Sequence, residues 1–188
     1  LYSSGQISVT QVCGEPSVIA VQCMKTNVSA YPSDYGKSFT LPVGQDLPSR
    51  DFRYTALFIR ASQDNTTVQI DRDNNGTFNT TFTLNEGEVM MVDDATAPAG
   101  TPVNAGAVIT ADKPIAVDAH FAGVDNYSSR EVPIFPATWY SHTYYTPVPT
   151  TGPAVSPHDT AVVMLFNSLS RDINIDWSSG VPSSGTIL

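Results

Sequence analysis

Short stretches of alternating apolar and polar residues run along the chain, broken at frequent intervals by Gly, Pro, Asn and Asp. Val68, Ile70, Phe78, Phe82 and Leu84 recur in even steps, the spacing of a strand with one buried face. The pattern predicts strands over Ile7–Val12, Ser17–Gln22, Phe39–Val43, Tyr54–Ala61, Thr67–Asp71, Thr77–Leu84 and Glu88–Val92. A second group follows over Ala107–Thr110, Ile115–Phe121, Thr143–Val148, Thr160–Asn167 and Ile173–Trp177. Leu57-Phe58-Ile59 and Val162 to Phe166 are unbroken apolar runs, the mark of central strands covered on both faces. Many short strands with turn signals between them predict an all-β chain of antiparallel β-sandwich modules.

The chain also resembles itself. Ser38–Val43 overlies Thr143–Val148 at an offset of 143 − 38 = 105. Without a gap, Pro42 and Val43 then meet Pro147 and Val148, Thr55 and Ala56 meet Thr160 and Ala161, and Ile70 and Asp71 meet Ile175 and Asp176. Further on, Thr81-Phe82-Thr83 meets Thr186-Ile187-Leu188. This predicts about two tandem copies of a unit of ~105 residues, a first β module over 1–100 and a second over 101–188. The second copy is incomplete, because Leu188 arrives before any counterpart of Glu88–Val92. An unfinished sheet leaves an edge that some other strand must cover.

Composition narrows the class. Only 14% of residues are charged and 41% are hydrophobic. Three Lys and four Glu are too few for long surface helices. The net charge of −9 comes with no Lys/Arg cluster, so nucleic acid is excluded as a partner. No apolar run approaches a membrane span. Leu1 is not an initiator Met and no leader pattern follows it, which fits a mature or excised piece.

Cys13 and Cys23 flank a turn signal, Gly14-Glu15-Pro16. They are expected to form a disulfide, contributing about 2–3 kcal/mol; the alternative is two buried thiols. Sequons stand at Asn27, Asn65, Asn75, Asn79 and Asn126. Together these features point to a secreted, extracellular or cell-surface glycoprotein.

The order of motifs adds a resemblance. Asp112-Lys113-Pro114-Ile115-Ala116-Val117 is followed by Val132-Pro133-Ile134-Phe135-Pro136, then by Tyr145-Thr146-Pro147-Val148 and Ile173-Asn174-Ile175-Asp176. From about Phe39 onward the chain resembles the N-terminal domain of the IgGFc-binding-protein family, found in large secreted mucus and adhesion-type proteins. The resemblance implies a β-rich extracellular module without enzymatic activity. It carries over no binding residue.

Few candidate sites emerge. Asp71, Asp73 and Asn75 precede Gly76 in the manner of a calcium loop, but the closing Glu position holds Phe82; a polar hairpin turn is the plainer alternative. Calcium is the one cofactor with a candidate site. Asp118 and His120 share a strand face, an arrangement that a metal or an acid–base site could use; a hydrogen-bonded His at a sheet surface is the plainer expectation. No nucleophile elbow, phosphate-cradling loop or catalytic acid pair is present. Trp139, Tyr140, Tyr144 and Tyr145 form an aromatic patch, weighted toward core filling between the copies, with glycan stacking or protein anchoring as the functional alternative. The expected function is a non-catalytic structural or adhesive repeat module, assembling with copies of itself or neighbouring β modules into a filament, matrix or cell-surface array. A lectin-like or calcium-dependent ligand-binding domain is the alternative.

Overall fold

A computed structural model describes residues 24–25, 34–48, 52–123, 130–145, 165–167, 171–178 and 184–187. Among them there is no α-helix; a 3-10 turn covers Ala137–Trp139. Eight strands form one sheet: β1 (Met24–Lys25), β2 (Gly36–Thr40), β3 (Tyr54–Ala61), β4 (Thr66–Asp71), β5 (Thr80–Leu84), β6 (Val89–Val92), β7 (Val108–Ala122) and β8 (Arg130–Ile134). A separate antiparallel hairpin pairs β9 (Ile175–Ser178) with β10 (Ser184–Ile187). The all-β, antiparallel class expected from the sequence is the class found, as a nearly closed, barrel-like sheet. One pairing is parallel, between β1 and β8.

The sheet is organised around β7. Its first residues pair with β2 and β4, and its later residues with β3 and β8. β3 and β4 lie end to end along it, Tyr54 opposite Ala122 and Asp71 opposite Val108. On their far side β6 and β5 lie end to end in turn. Residues 54–92 are thus one long hairpin, bent where residues 62–65 and 85–88 interrupt its two strands. Position 100 falls in the connection from β6 to β7, and β7 beyond it pairs with three strands before it.

The bend explains a local difference from expectation. Asp112-Lys113-Pro114, which falls between the expected strands Ala107–Thr110 and Ile115–Phe121, lies inside the continuous strand β7. It faces the 62–65 interruption and supplies its hydrogen bonds. Thr67 N donates to Asp112 Oδ1 (2.8 Å), Ser62 Oγ to Pro114 O (2.6 Å), and Lys113 Nζ to the carbonyls of Asp64 and Asn65. Proline has no N–H to offer a ladder, and at a bulge none is required.

Strand phase changes across the bend. β3 buries Thr55, Leu57, Ile59 and Ala61, whereas β4 buries Thr66, Val68 and Ile70. Both sets enter one core with Phe39, Leu41, Val43, Val92, Val103, Ile109, Ile115, Val117, Phe121 and Ile134. Each large apolar side chain taken from water contributes about 1.5–3 kcal/mol.

One end of the sheet is closed by loops. Leu41 N donates to Ala107 O (2.9 Å), and Gly106 N to Leu41 O (2.7 Å). Gln45 N donates to Val103 O (2.9 Å), and Gln45 Oε1 accepts from Val103 N (2.7 Å). A Cβ on Gly44 would lie 2.2 Å from the backbone carbon of Asn104, so the two loops approach closely only because this residue has no side chain.

Of the sequence-predicted strands, Ile7–Val12 and Ser17–Gln22 lie outside the described residues, as does most of Thr160–Asn167. Thr143–Tyr145 and Leu165–Asn167 are irregular. Leu165 and Phe166 are exposed rather than covered on both faces, with the Phe166 ring lying over Gly106.

Candidate functional site

The Asp71–Asn79 loop gathers the three residues predicted as calcium ligands. Asp71 is buried, its Oδ1 accepting from Asn75 N (3.1 Å) and its Oδ2 from Gly76 N (2.8 Å). Asp73 Oδ2 accepts from Asn75 Nδ2 (2.9 Å) and Oδ1 from Asn79 Nδ2 (2.9 Å). Asn75 Oδ1 accepts from Thr77 N (2.8 Å). Each candidate ligand oxygen accepts a hydrogen bond from a donor of the same loop, the bonding of a polar Asx-type turn. Among the described residues no three His, Cys, Asp or Glu side chains cluster as a metal site.

Arg72, between the two aspartates, points inward and is fully buried. Its Nη1 donates to the carbonyls of Asp93 (2.6 Å) and Thr96 (3.1 Å), and its Nη2 to that of Pro98 (2.8 Å); Nε has no partner. Burial lowers the guanidinium pKa, while Asp73, Asp93 and Asp94 oppose the shift. Asp93 caps its own turn, with Oδ1 accepting from Ala95 N and Thr96 N. Its Oδ2 accepts from Tyr54 Oη at 3.1 Å. Burial first, and the Asp93 bond second, raise the Tyr54 pKa.

Asp118 and His120 share the face of β7 turned away from the core, but Asp118 is buried there and His120 half-buried. Asp118 pairs with Arg60 at 3.4 Å, and the His120 ring meets Tyr54 edge-on at 6.0 Å. Glu131 lies opposite His120 on β8. Carboxylate and guanidinium thus pair across the β3–β7 ladder, and the imidazole packs against the Tyr54 ring on the same ladder.

The aromatic patch departs most from expectation. Chain leaving β8 passes Phe135 and Pro136 and closes the 3-10 turn, with Trp139 N donating to Pro136 O (2.8 Å). The turn brings Phe135 and Trp139 face to face, their centroids 5.1 Å apart and planes 6° from parallel. Ser141 N donates to Tyr144 Oη (2.8 Å), folding the following residues back. Relative exposure is 47% for Phe135, 45% for Trp139, 47% for Tyr140, 69% for Tyr144 and 95% for Tyr145. The rings do not fill a core; they form a surface. Pro136 anchors it, buried against Gly36 of β2, where a Cβ would lie 2.3 Å from the proline Cβ.

Two residues were missed by sequence reasoning. Phe135 belongs to the platform, and its spacing of four from Trp139 across a proline was the available signal. Arg72 looks like an ordinary turn residue, and its carbonyl partners lie more than twenty residues away. Of the sequons, Asn65 is exposed in a left-handed turn (φ 53°) and Asn75 is exposed. Asn79 is half-buried and hydrogen-bonded to Asp73. Cys13, Cys23, Asn27 and Asn126 lie outside the described residues.

Fold and surface together define an all-β domain whose most prominent feature is an exposed aromatic platform beside a sheet. The sequence matches the family described as IgGFc binding protein over residues 17–177, and the chain belongs to that family. No curated protein and no solved structure matches it. No helix among the described residues is long and apolar enough to cross a membrane.

Proposed function

We propose that this chain is a non-catalytic, extracellular protein-binding module that uses the Phe135–Trp139 platform and the adjoining tyrosines as its contact surface. The exposed aromatic cluster is the observation that carries this reading. Trp and Tyr anchor protein interfaces because they bury much area with few rotatable bonds, and the platform is held rigid by the Pro136–Gly36 contact. Membership of a family described by IgG Fc binding supports a protein partner and supplies the first probe, purified immunoglobulin Fc. Other β modules of the same kind are the second. In this reading the chain is an adhesive or structural unit of an extracellular assembly. The β9–β10 hairpin, whose Ile175 and Asp176 stand 105 positions after Ile70 and Asp71 of β4, supports a second sandwich-forming copy of the unit. Asn65, exposed at the sheet corner, is the best-placed glycan acceptor.

A lectin-like role is the second reading. It is favoured by the parallel ring pair and by the absence of Asp, Glu, Lys and Arg from residues 132–145, a neutral surface on which the apolar face of a sugar could stack. Binding assays with Fc, with purified β modules and with a neutral glycan array, each repeated with Trp139→Ala, separate the two. A protein ligand lost in the variant supports the first reading, and a glycan lost in the variant replaces it with the second. Protein binding that survives the substitution undiminished overturns the platform as the contact.

A further inference from the structure

The platform accounts for one surface; the far edge of the sheet is another. Among the described residues β5 pairs with β4 alone, so the outer side of Thr80–Leu84 carries backbone N–H and C=O groups with no strand to receive them. Natural edges are commonly blunted by Lys, by Pro or by charge pointing along the strand. β5 has none of these: it reads Thr-Thr-Phe-Thr-Leu, without a charged residue. Thr81 and Thr83 are exposed on its outer face, while Thr80 and Leu84 are buried on the inner one.

We propose that β5 is a self-pairing edge, and that its occupant is β5 of a second copy of this chain, antiparallel about a two-fold axis through Phe82. The sequence is complementary to itself in this register. Phe82 meets Phe82, and Thr81 of each copy lies opposite Thr83 of the other on the solvent face, a pairing that β-branched hydroxyl residues favour. Inner-face residues meet likewise, Thr80 opposite Leu84. Continuing outward, Asn79 falls opposite Asn85, Phe78 opposite Glu86 and Gly76 opposite Glu88, so no acid meets an acid. That matters for a chain of net charge −9, in which most arbitrary self-contacts would set like charges together. A two-fold contact closes on itself and joins eight-stranded sheets in pairs across the interface. The inference rests on residues separate from the aromatic platform and stands independently of it.

The test uses unglycosylated protein, because Thr81 is also part of the Asn79 sequon. Sedimentation of the wild type over a concentration series is expected to show a reversible dimer. Thr81→Lys with Thr83→Lys places four ammonium groups around the two-fold axis and is expected to weaken the dimer at least about tenfold, with an unchanged melting temperature at concentrations where the wild type is monomeric, because both sites are exposed in the single chain. Thr81→Glu with Thr83→Glu is expected to do the same alone. Mixing the Lys and Glu variants is expected to restore a one-to-one heterodimer, a recovery that general misfolding would not produce. A wild type that stays monomeric at its highest soluble concentration overturns the proposal. So does a dimer that survives both variants, and a dimer lost instead in Trp139→Ala assigns self-association to the platform.

Discussion

Replacing Arg72 by Met keeps much of the side chain's length and apolar stem while deleting the guanidinium. Three carbonyls, those of Asp93, Thr96 and Pro98, then lose donors now at 2.6–3.1 Å. A buried acceptor left unsatisfied costs about 1–3 kcal/mol, which bounds the loss at roughly 3–9 kcal/mol. Part returns, because a charged group no longer has to be desolvated, a saving of several kcal/mol. Movement of the 93–98 loop toward water recovers more. The expected net loss is roughly 2–4 kcal/mol, or about 5–15 °C in melting temperature for a chain of this size. Urea unfolding with linear extrapolation measures the first quantity, and amide exchange over 93–104 locates it. Arg72→Lys keeps the charge but cannot span three carbonyls with a single ammonium, so it should not restore stability. A loss below about 1 kcal/mol with unchanged exchange protection in that loop would refute the reasoning, showing that other contacts hold the segment.

Three further expectations follow from the same geometry. Gly44→Ala drives a Cβ to within 2.2 Å of the Asn104 backbone, where no flexible side chain can yield; a loss of about 2 kcal/mol or more is expected by urea unfolding, and a neutral result would mean the two loops separate freely. Tyr54 has a folded pKa raised above the ordinary tyrosine value of 10.0, so its contribution is complete below pH 10.0 and is lost as pH rises through the folded value. The wild type should accordingly lose stability above that pH more steeply than Tyr54→Phe, and equal slopes would contradict the assignment. Calcium should leave the melting temperature unchanged, because the Asp71 and Asp73 oxygens already accept bonds from their own loop; a true site would add about 2.7 kcal/mol at a hundredfold excess over Kd, and a rise that disappears in Asp73→Asn would establish one.

How much of this was legible in the sequence depends on how local the deciding contacts are. The alternation of Val68, Ile70, Phe82 and Leu84 marks the β4–β5 pair directly, because strand period and burial are set within a few residues. Asp112-Lys113-Pro114 misleads, because the same residues suit a turn and a bulge, and the choice is made by the 62–65 interruption across the ladder. Arg72 is indistinguishable from a solvated turn residue until the carbonyls of 93, 96 and 98 close around it. The aromatic cluster was legible as a cluster but not as a surface: ring content is the same for a core and a platform, and what keeps Trp139 outside is the Pro136–Gly36 contact, about a hundred residues apart in the chain. That Asp118 and His120 share a face was legible because neighbours two apart on a strand do so whatever the topology, but the burial of Asp118 and its pairing with Arg60 depend on β3 and were not.

The position of β7 bears on how the chain reaches its structure. β2, β3, β4 and β8 all take partners from this one strand, which begins only at Val108. A growing chain can form the 54–92 hairpin on its own, but β2 and the inner edges of β3 and β4 stay unpaired until the polypeptide has been made through Ala122. Until then Leu57, Ile59, Val68 and Ile70 form an apolar face with no opposing wall. The slow step in folding is therefore expected to be insertion of β7, and the period just before it is when the nascent chain is most exposed to aggregation or to chaperone capture.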